Sequence, residues 1–185
     1  LLGVAHYAWR HRTADGRPAR SSSGMTVPAD ARADASDPAG PPACLIVLGG
    51  FDPWPQTDAR LKAWLRGLDR RGALLGAVDT GAFLLAAAEA LGGVRPVVHW
   101  ESEAAFRELF PDVVLADQSH VVEGRRLFCA GGAAVLHLMI DLIARSHGPE
   151  LAGRLGRRLF VPMAEAPTGT HPAAPLSPQV EVALK

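Results

Sequence analysis

From Cys44 onward, short continuous apolar runs alternate with segments of helical period, and this alternation predicts an α/β protein. Two further observations agree. Breakers stand where strand and helix units need turns, at Gly49-Gly50, Gly72 and Gly92-Gly93. A length of 185 residues, 48% hydrophobic and 21% charged, suits one globular domain with a sizeable core. Lys plus Arg and Asp plus Glu are 19 each, so the chain offers no field of one sign to nucleic acid or an anionic membrane. No apolar run approaches the roughly 18 residues of a membrane span, and the first residues lack a leader-like pattern. Cys44 and Cys129 lie in apolar settings and read as buried thiols of a reducing compartment, so the cytoplasm is the expected location.

The elements follow in order. Tyr7-Ala8-Trp9 has β character, Asp15-Gly16 is a candidate hairpin turn and Met25-Thr26-Val27 a short strand, so residues 6–29 read as sheet margin. Residues 30–43, rich in small residues and breakers, read as a surface connection. Residues 44–48 form a buried strand. Residues 57–71 place Leu61, Trp64, Leu65 and Leu68 on one helix face, opposite Arg60, Arg66 and Arg70. Residues 74–78 form the next strand, which runs through Asp79-Thr80-Gly81 into a helix over 82–91. Val97-Val98 is a short strand leading to His99-Trp100-Glu101. Ser102 then caps a helix that buries Phe106, Leu109 and Phe110 and ends at Pro111. Residues 113–115 read as a strand, and 119–122 with 126–129 as a hairpin around Glu123-Gly124. Ala130-Gly131-Gly132 opens a long helix to about residue 145, and Pro149 starts a last helix reaching about 160. The expected organisation is a domain over 1–162 and a Pro-rich tail or linker over 163–185.

In open α/β sheets, ligands bind beyond the carboxyl ends of the strands. Gly49-Gly50-Phe51-Asp52, Asp79-Thr80-Gly81 and His99-Trp100-Glu101 all have that placement, and together they bound the default site. A residue on the sharp turn at Asp79 is held over the sheet edge, as a nucleophile is in hydrolases of the elbow type. Three roles are open to this carboxylate: capping the following helix, contacting a ligand, or covalent catalysis, for which it is a weak nucleophile. Gly49 and Gly50 let backbone approach a ligand closely. His99 suits a general base, a ligand partner or a structural histidine. Trp54 and Trp100, as core or as ligand platform, stand beside Asp79 and Glu101, and aromatic faces next to carboxylates can enclose a cation. His120, His137 and His147 have no metal spacing, so no metal is expected, and no phosphate loop or dinucleotide fingerprint occurs. Arg154, Arg157 and Arg158 read as a solvated face.

The residues Val78-Asp79-Thr80-Gly81-Ala82-Phe83-Leu84-Leu85-Ala86, His99-Trp100-Glu101 and Cys129-Ala130-Gly131-Gly132 carry a resemblance. They resemble the ligand-sensing domain of GlxA-type, AraC-family bacterial transcription regulators, a branch of the ThiJ/PfpI superfamily related to class I glutamine amidotransferases. The similarity runs from about Tyr7 to Val161, through Phe110-Pro111-Asp112-Val113 and Ser146-His147-Gly148.

The resemblance implies a flavodoxin-like three-layer α/β sandwich with a mostly parallel sheet, usually dimeric, followed in full-length regulators by a helix-turn-helix domain. Enzymes of the superfamily carry Cys on the elbow, and the matching position here is Asp79, so no catalytic residue and no cofactor are expected. Asp at this position is similar to regulators that respond to arginine, carnitine or glycine-betaine derivatives. The expected function is therefore effector sensing and dimerisation, with a small cationic, amino-acid-like metabolite bound by Gly49, Gly50, Phe51, Asp79, Thr80, His99, Trp100 and Glu101. DNA would be read only through a domain outside this sequence. The alternative is a superfamily hydrolase, amidase or glyoxalase-like enzyme with a non-cysteine site such as Asp79 and His99. Two departures stand out. The family usually has a strand and helix before the position of Tyr7, so a chain that truly opens at Leu1 would lack an interior strand. His137 also stands where the family helix normally bears an acid, leaving the partner of that acid unaccounted for. A start at Leu1 without Met fits an excised piece.

Overall fold

A computed structural model describes residues 7–36, 40–50 and 59–161, together with the backbone of residues 179–184. A seven-stranded sheet has at its centre two strands whose runs are apolar throughout. Strand β5, Cys44–Leu48, and strand β6, Leu74–Val78, pair in parallel with Ile46 opposite Gly76. Strand β8, Arg126–Cys129, adds in parallel to β6 and pairs antiparallel with β7, His120–Glu123, at one edge. Continuous apolar runs suit such strands because both faces are covered.

Alternation sorts their side chains into two cores. Leu45, Val47, Leu75, Ala77 and Phe128 face helices α1 (Ala59–Arg70), α2 (Gly81–Ala87) and α3 (Glu103–Leu109), with Leu65, Leu68, Phe83 and Phe106 opposite them. Cys44, Ile46, Val78, Leu127 and Cys129 face α4 (Ala134–His147) through Leu138 and Leu142. Helix α5, Pro149–Arg158, packs outside α4 at Ile140, Ala152 and Val161. The result is the expected three-layer sandwich. Phe83, Phe106 and Phe110 meet edge to face or tilted, with centroids 4.9–6.2 Å apart.

At the other end of the sheet several expectations change. Strand β1, Ala8–Thr13, pairs in parallel with β4, Ala31–Arg32, so the segment read as a surface connection contributes the edge strand and buries Ala33. Asp15-Gly16 turns the chain without making β1 a hairpin arm. The hairpin is instead β2, Ala19–Arg20, with β3, Thr26–Val27. Between β1 and β5 lies β9, Gln179–Leu184, parallel to β1 along its whole length and to β5 from Val180 to Leu184. These residues fall in the span read as a tail, and they fill the interior position that a chain opening at Leu1 was expected to lack. Two β-branched residues in the alternating series Gln-Val-Glu-Val-Ala-Leu give a strand signal, which the preceding prolines outweighed in the sequence reading.

Val97-Val98 and residues 113–115 are not strands. Val97 and Val98 remain buried in the α1 to α3 core, in a loop outside any strand. The residues named at 51–58, including Phe51, Asp52 and Trp54, and those at 162–178 lie outside the described residues.

Candidate functional site

The turn after β6 is held from three sides. Asp79 N–H donates to the carbonyl of Cys129 at 2.8 Å, and Gly49 N–H donates to that of Val78 at 3.1 Å. Buried Thr80 donates from Oγ1 to the carbonyl of Gly50 at 2.8 Å. A Cβ at Gly49 would overlap Thr80 Oγ1 and Gly81 N, and one at Gly81 would overlap the carbonyl oxygen of Val47. Only glycine lets the β5 and β6 turns approach this closely. Of the paired glycines of the sequence, Gly49 thus serves packing between two strand ends, while a Cβ at Gly50 would meet no described atom within 4 Å.

Asp79 itself adopts φ 59°, in the left-handed region. Asp tolerates that region better than most residues, and it lifts the half-buried carboxylate out of the strand direction. The helix cap is not its role. Thr80 occupies the N-cap position of α2 without a side-chain capping bond, and no described residue donates a hydrogen bond to the Asp79 carboxylate. Gly131, at φ 100°, passes close enough that a Cβ there would stand 3.5 Å from Asp79 Oδ2. Residues 129–131 therefore form a wall beside Asp79 that the sequence reading left out of the site. The Cys-Ala-Gly-Gly run quoted for the resemblance was the signal.

Gly131 N–H also donates to Cys129 Sγ at 3.4 Å. Burial pushes the Cys129 thiol up, and the nearby charge of Asp79 adds to the rise. Burial pushes Cys44 up to about 12. Both thiols are neutral and enclosed, which suits neither a nucleophile nor a redox sensor.

A stability dependence follows. The unfolded Cys44 thiol ionises near its ordinary 9.0 while the folded one stays protonated to about 12, so stability must fall as pH rises through that window. The expected slope is about 1.4 kcal/mol per pH unit. Urea midpoints at pH 8 and pH 10 test this, and Cys44→Ala should reduce the difference, leaving the part of the same sign that Cys129 contributes. Equal midpoints in the parent chain would contradict the assignment.

His99, Trp100 and Glu101 form a separate local unit. His99 caps a short 3-10 turn, Trp100–Ser102, with Nδ1 accepting from Glu101 N–H at 3.4 Å and lying 3.6 Å from Glu101 Oε2. The His99 and Trp100 rings sit 5.7 Å apart, and Trp100 is 72% exposed. No hydrogen bond or ion pair joins this unit to Asp79 among the described residues, so the pair Asp79 and His99 is not assembled as acid and base. Ser102 is at the N-cap of α3 as expected, again without a side-chain bond.

The question raised by His137 has an answer one helical turn later. Asp141 Oδ2 meets His120 Nε2 at 2.9 Å, while His137 stacks on His120 with centroids 6.1 Å apart. No group of His, Cys, Asp or Glu among the described residues can hold a metal ion. Nor is any described helix long and apolar enough to cross a membrane.

Comparison with known proteins agrees with this architecture. The chain is 42% identical over 155 residues to the HTH-type transcriptional regulator CdhR of Pseudomonas aeruginosa, covering 84% of this chain and 45% of that one. It is 35% identical over 155 residues to the HTH-type transcriptional regulator GbdR of the same species, covering 84% and 41%. The chain thus spans less than half the length of these curated relatives. Among solved structures, an AraC family transcriptional regulator from Pseudomonas putida superposes with a TM-score of 0.70 at 23% identity, covering 85% of this chain and 84% of that one. Oxidised DJ-1 of Toxoplasma gondii superposes at 0.61 and 20% identity, covering 79% and 78%. Residues 5–144 match the family model described as DJ-1/PfpI, and with the sandwich and its glycine-clamped turn at Asp79, the chain belongs to the DJ-1/PfpI family.

Proposed function

We propose that this chain is the effector-sensing and dimerising domain of a transcription regulator, and that it binds a small cationic, amino-acid-like metabolite at Asp79. One observation carries the reading: a half-buried carboxylate, raised by a left-handed turn at a strand end, to which no described residue donates a hydrogen bond. A cationic nitrogen supplies the missing partner. Thr80, through its bond to the Gly50 carbonyl, holds the turn beside Gly49 and Gly50 in place, and His99, Trp100 and Glu101 are proposed as further ligand contacts, the exposed Trp100 ring being suited to a cationic group. The regulators among its relatives support the sensing role, and a basic DNA-reading domain would have to come from outside this neutral sequence.

The mechanism is a shift between dimer geometries. A ligand moves such an equilibrium only through its differential affinity for the two states. Phe51 remains a proposed wall residue, and cytoplasmic location follows from the same regulatory role. With Asp79 on the elbow and both thiols enclosed, the domain senses rather than turns over its ligand.

Thermal shift with arginine, carnitine and glycine betaine tests the proposal. A bound cation at about 100 times its Kd should raise the melting temperature by several degrees. Asp79→Asn keeps a residue that tolerates the left-handed backbone and removes the charge, so it should abolish the shift. An equal shift in parent and variant would remove Asp79 from the site. No shift with any cation in the parent would leave a structural dimerisation domain as the better reading.

A further inference from the structure

Ser119, His120 and Asp141 form a hydrogen-bonded chain that the site at Asp79 does not use. His120 Nε2 lies 2.9 Å from Asp141 Oδ2, and His120 Nδ1 lies 3.3 Å from Ser119 Oγ. Asp141 comes from the middle of α4, while Ser119 directly precedes β7, the edge strand of the sheet. Strand β8 stands between β7 and the β6 turn that carries Asp79.

The bonding pattern fixes the tautomer. A carboxylate only accepts, so the neutral imidazole carries its proton on Nε2 and leaves a lone pair on Nδ1. Ser119 Oγ–H donates to that lone pair. The ring is also held in place, because His137 stacks on it with centroids 6.1 Å apart and planes 21° apart. Ser119 is exposed, whereas the side chains of His120 and Asp141 are 21% and 35% exposed. An open hydroxyl on a base that a partly enclosed carboxylate orients has the order of parts of an activated nucleophile.

The strand register supplies a fourth part. Ala130 N–H donates to the Ser119 carbonyl at 3.0 Å, and Cys129 stands opposite His120. In that register His120 and Cys129 exchange no backbone bonds, so the His120 N–H faces the outer edge of the sheet. Arg145 agrees with this direction two residues on, reaching from α4 to the outward carbonyl of Val122. No described strand lies on that side to accept from His120 N–H. The N–H after the nucleophile is the donor that hydrolases of the elbow type aim at the developing oxyanion.

We propose that Ser119 is the nucleophile of a second site, which cleaves small carboxylic esters. Its Oγ bonds to the ester carbonyl carbon as its proton passes to His120 Nδ1, and the carbonyl oxygen takes the negative charge beside His120 N–H. The C–O bond to the alcohol then breaks, and the alcohol leaves with the proton from Nδ1. A water, deprotonated by the same nitrogen, releases the acid and restores Ser119. Ser119 and His120 are the catalytic residues, and Asp141 is a positioning residue. The site needs nothing from Asp79 and stands whether or not a cation binds there.

Diisopropyl fluorophosphate tests the nucleophile, since the Oγ–P bond forms, fluoride leaves and the adduct stays. Intact mass and peptide mapping of the 185-residue chain should show one adduct, at Ser119. The hydroxyls of Ser21 and Ser23, which bond to each other at 2.8 Å, are the internal control and should stay unlabelled. Ser119→Ala should abolish labelling and saturable hydrolysis of p-nitrophenyl acetate, and at this exposed position it should melt as the parent does. Asp141→Asn should slow labelling by about a hundredfold, within the range of general-base contributions, and Asp141→Glu should recover part of that loss. Asp79→Asn should change neither rate. Three results would overturn the proposal: no adduct with the parent, labelling spread equally over Ser21, Ser23 and Ser119, or ester hydrolysis at the parental rate in Ser119→Ala.

Discussion

Val182→Pro is expected to lower stability by about 3 kcal/mol or more and to promote aggregation. Residue 182 sits in β9 opposite His11 on one side and Ile46 on the other, in the interior of the sheet. Proline there deletes a ladder hydrogen bond whichever neighbour that residue's N–H addresses. A strand flanked on both sides has no tolerant edge. Losing β9 altogether would expose the facing edges of β1 and β5, each a template for pairing with another chain. Ending the chain after Val161 should therefore give the same result more severely. Urea unfolding followed by circular dichroism measures both changes, and size-exclusion chromatography reports the aggregation. A parent-like midpoint for Val182→Pro would show that β9 contributes no stability to the sheet.

Gly81→Ala is expected to cost about 2 to 4 kcal/mol, enough to lower the melting temperature by roughly 5 to 15 °C in a domain of this size. The added Cβ would press into the backbone carbonyl of Val47, which is held in β5 and cannot swing aside as a side-chain tip can. Relief requires the β5 and β6 strand ends to separate, which would also strain the bond from Thr80 Oγ1 to the Gly50 carbonyl. Gly153→Ala is the control. Its Cβ would meet only the end of Arg157 at an ordinary 3.5 Å, on the α5 surface, and helix propensity predicts a gain of about 0.5 to 1 kcal/mol. Opposite signs for the two substitutions are the expected calorimetric result. A neutral Gly81→Ala would mean that the turn has room the geometry denies it.

Much of the region after Cys44 was legible because its signals are local. Apolar runs of five residues marked β5 and β6, the offsets of Leu61, Trp64, Leu65 and Leu68 marked α1, and Pro149 marked the first turn of α5. Val97-Val98 misled for a physical reason: two buried β-branched residues look the same in a strand and in a loop pressed against a core. The site was legible as a set of strand-end turns but not as an assembly. His99 and Glu101 pair with each other, and residues 129–131, far along the chain, form the wall beside Asp79. Likewise the partner of His120 could be sought on α4 but not chosen between His137 and Asp141 without the helix phase against β7.

By itself, the sequence determined an α/β protein, a sharp strand-to-helix turn at Asp79, and a net charge of zero. Tertiary structure alone decided that β9 lies between β1 and β5, that Gly49 and Gly81 serve strand-end packing, and that His120 meets Asp141. The division follows the range of the interactions. Periodicity, capping and turn chemistry act within a few residues and leave their mark on composition. The choice of strand neighbour and the meeting of side chains depend on contacts between distant segments, set by hydrogen-bond pairing and burial across the whole domain.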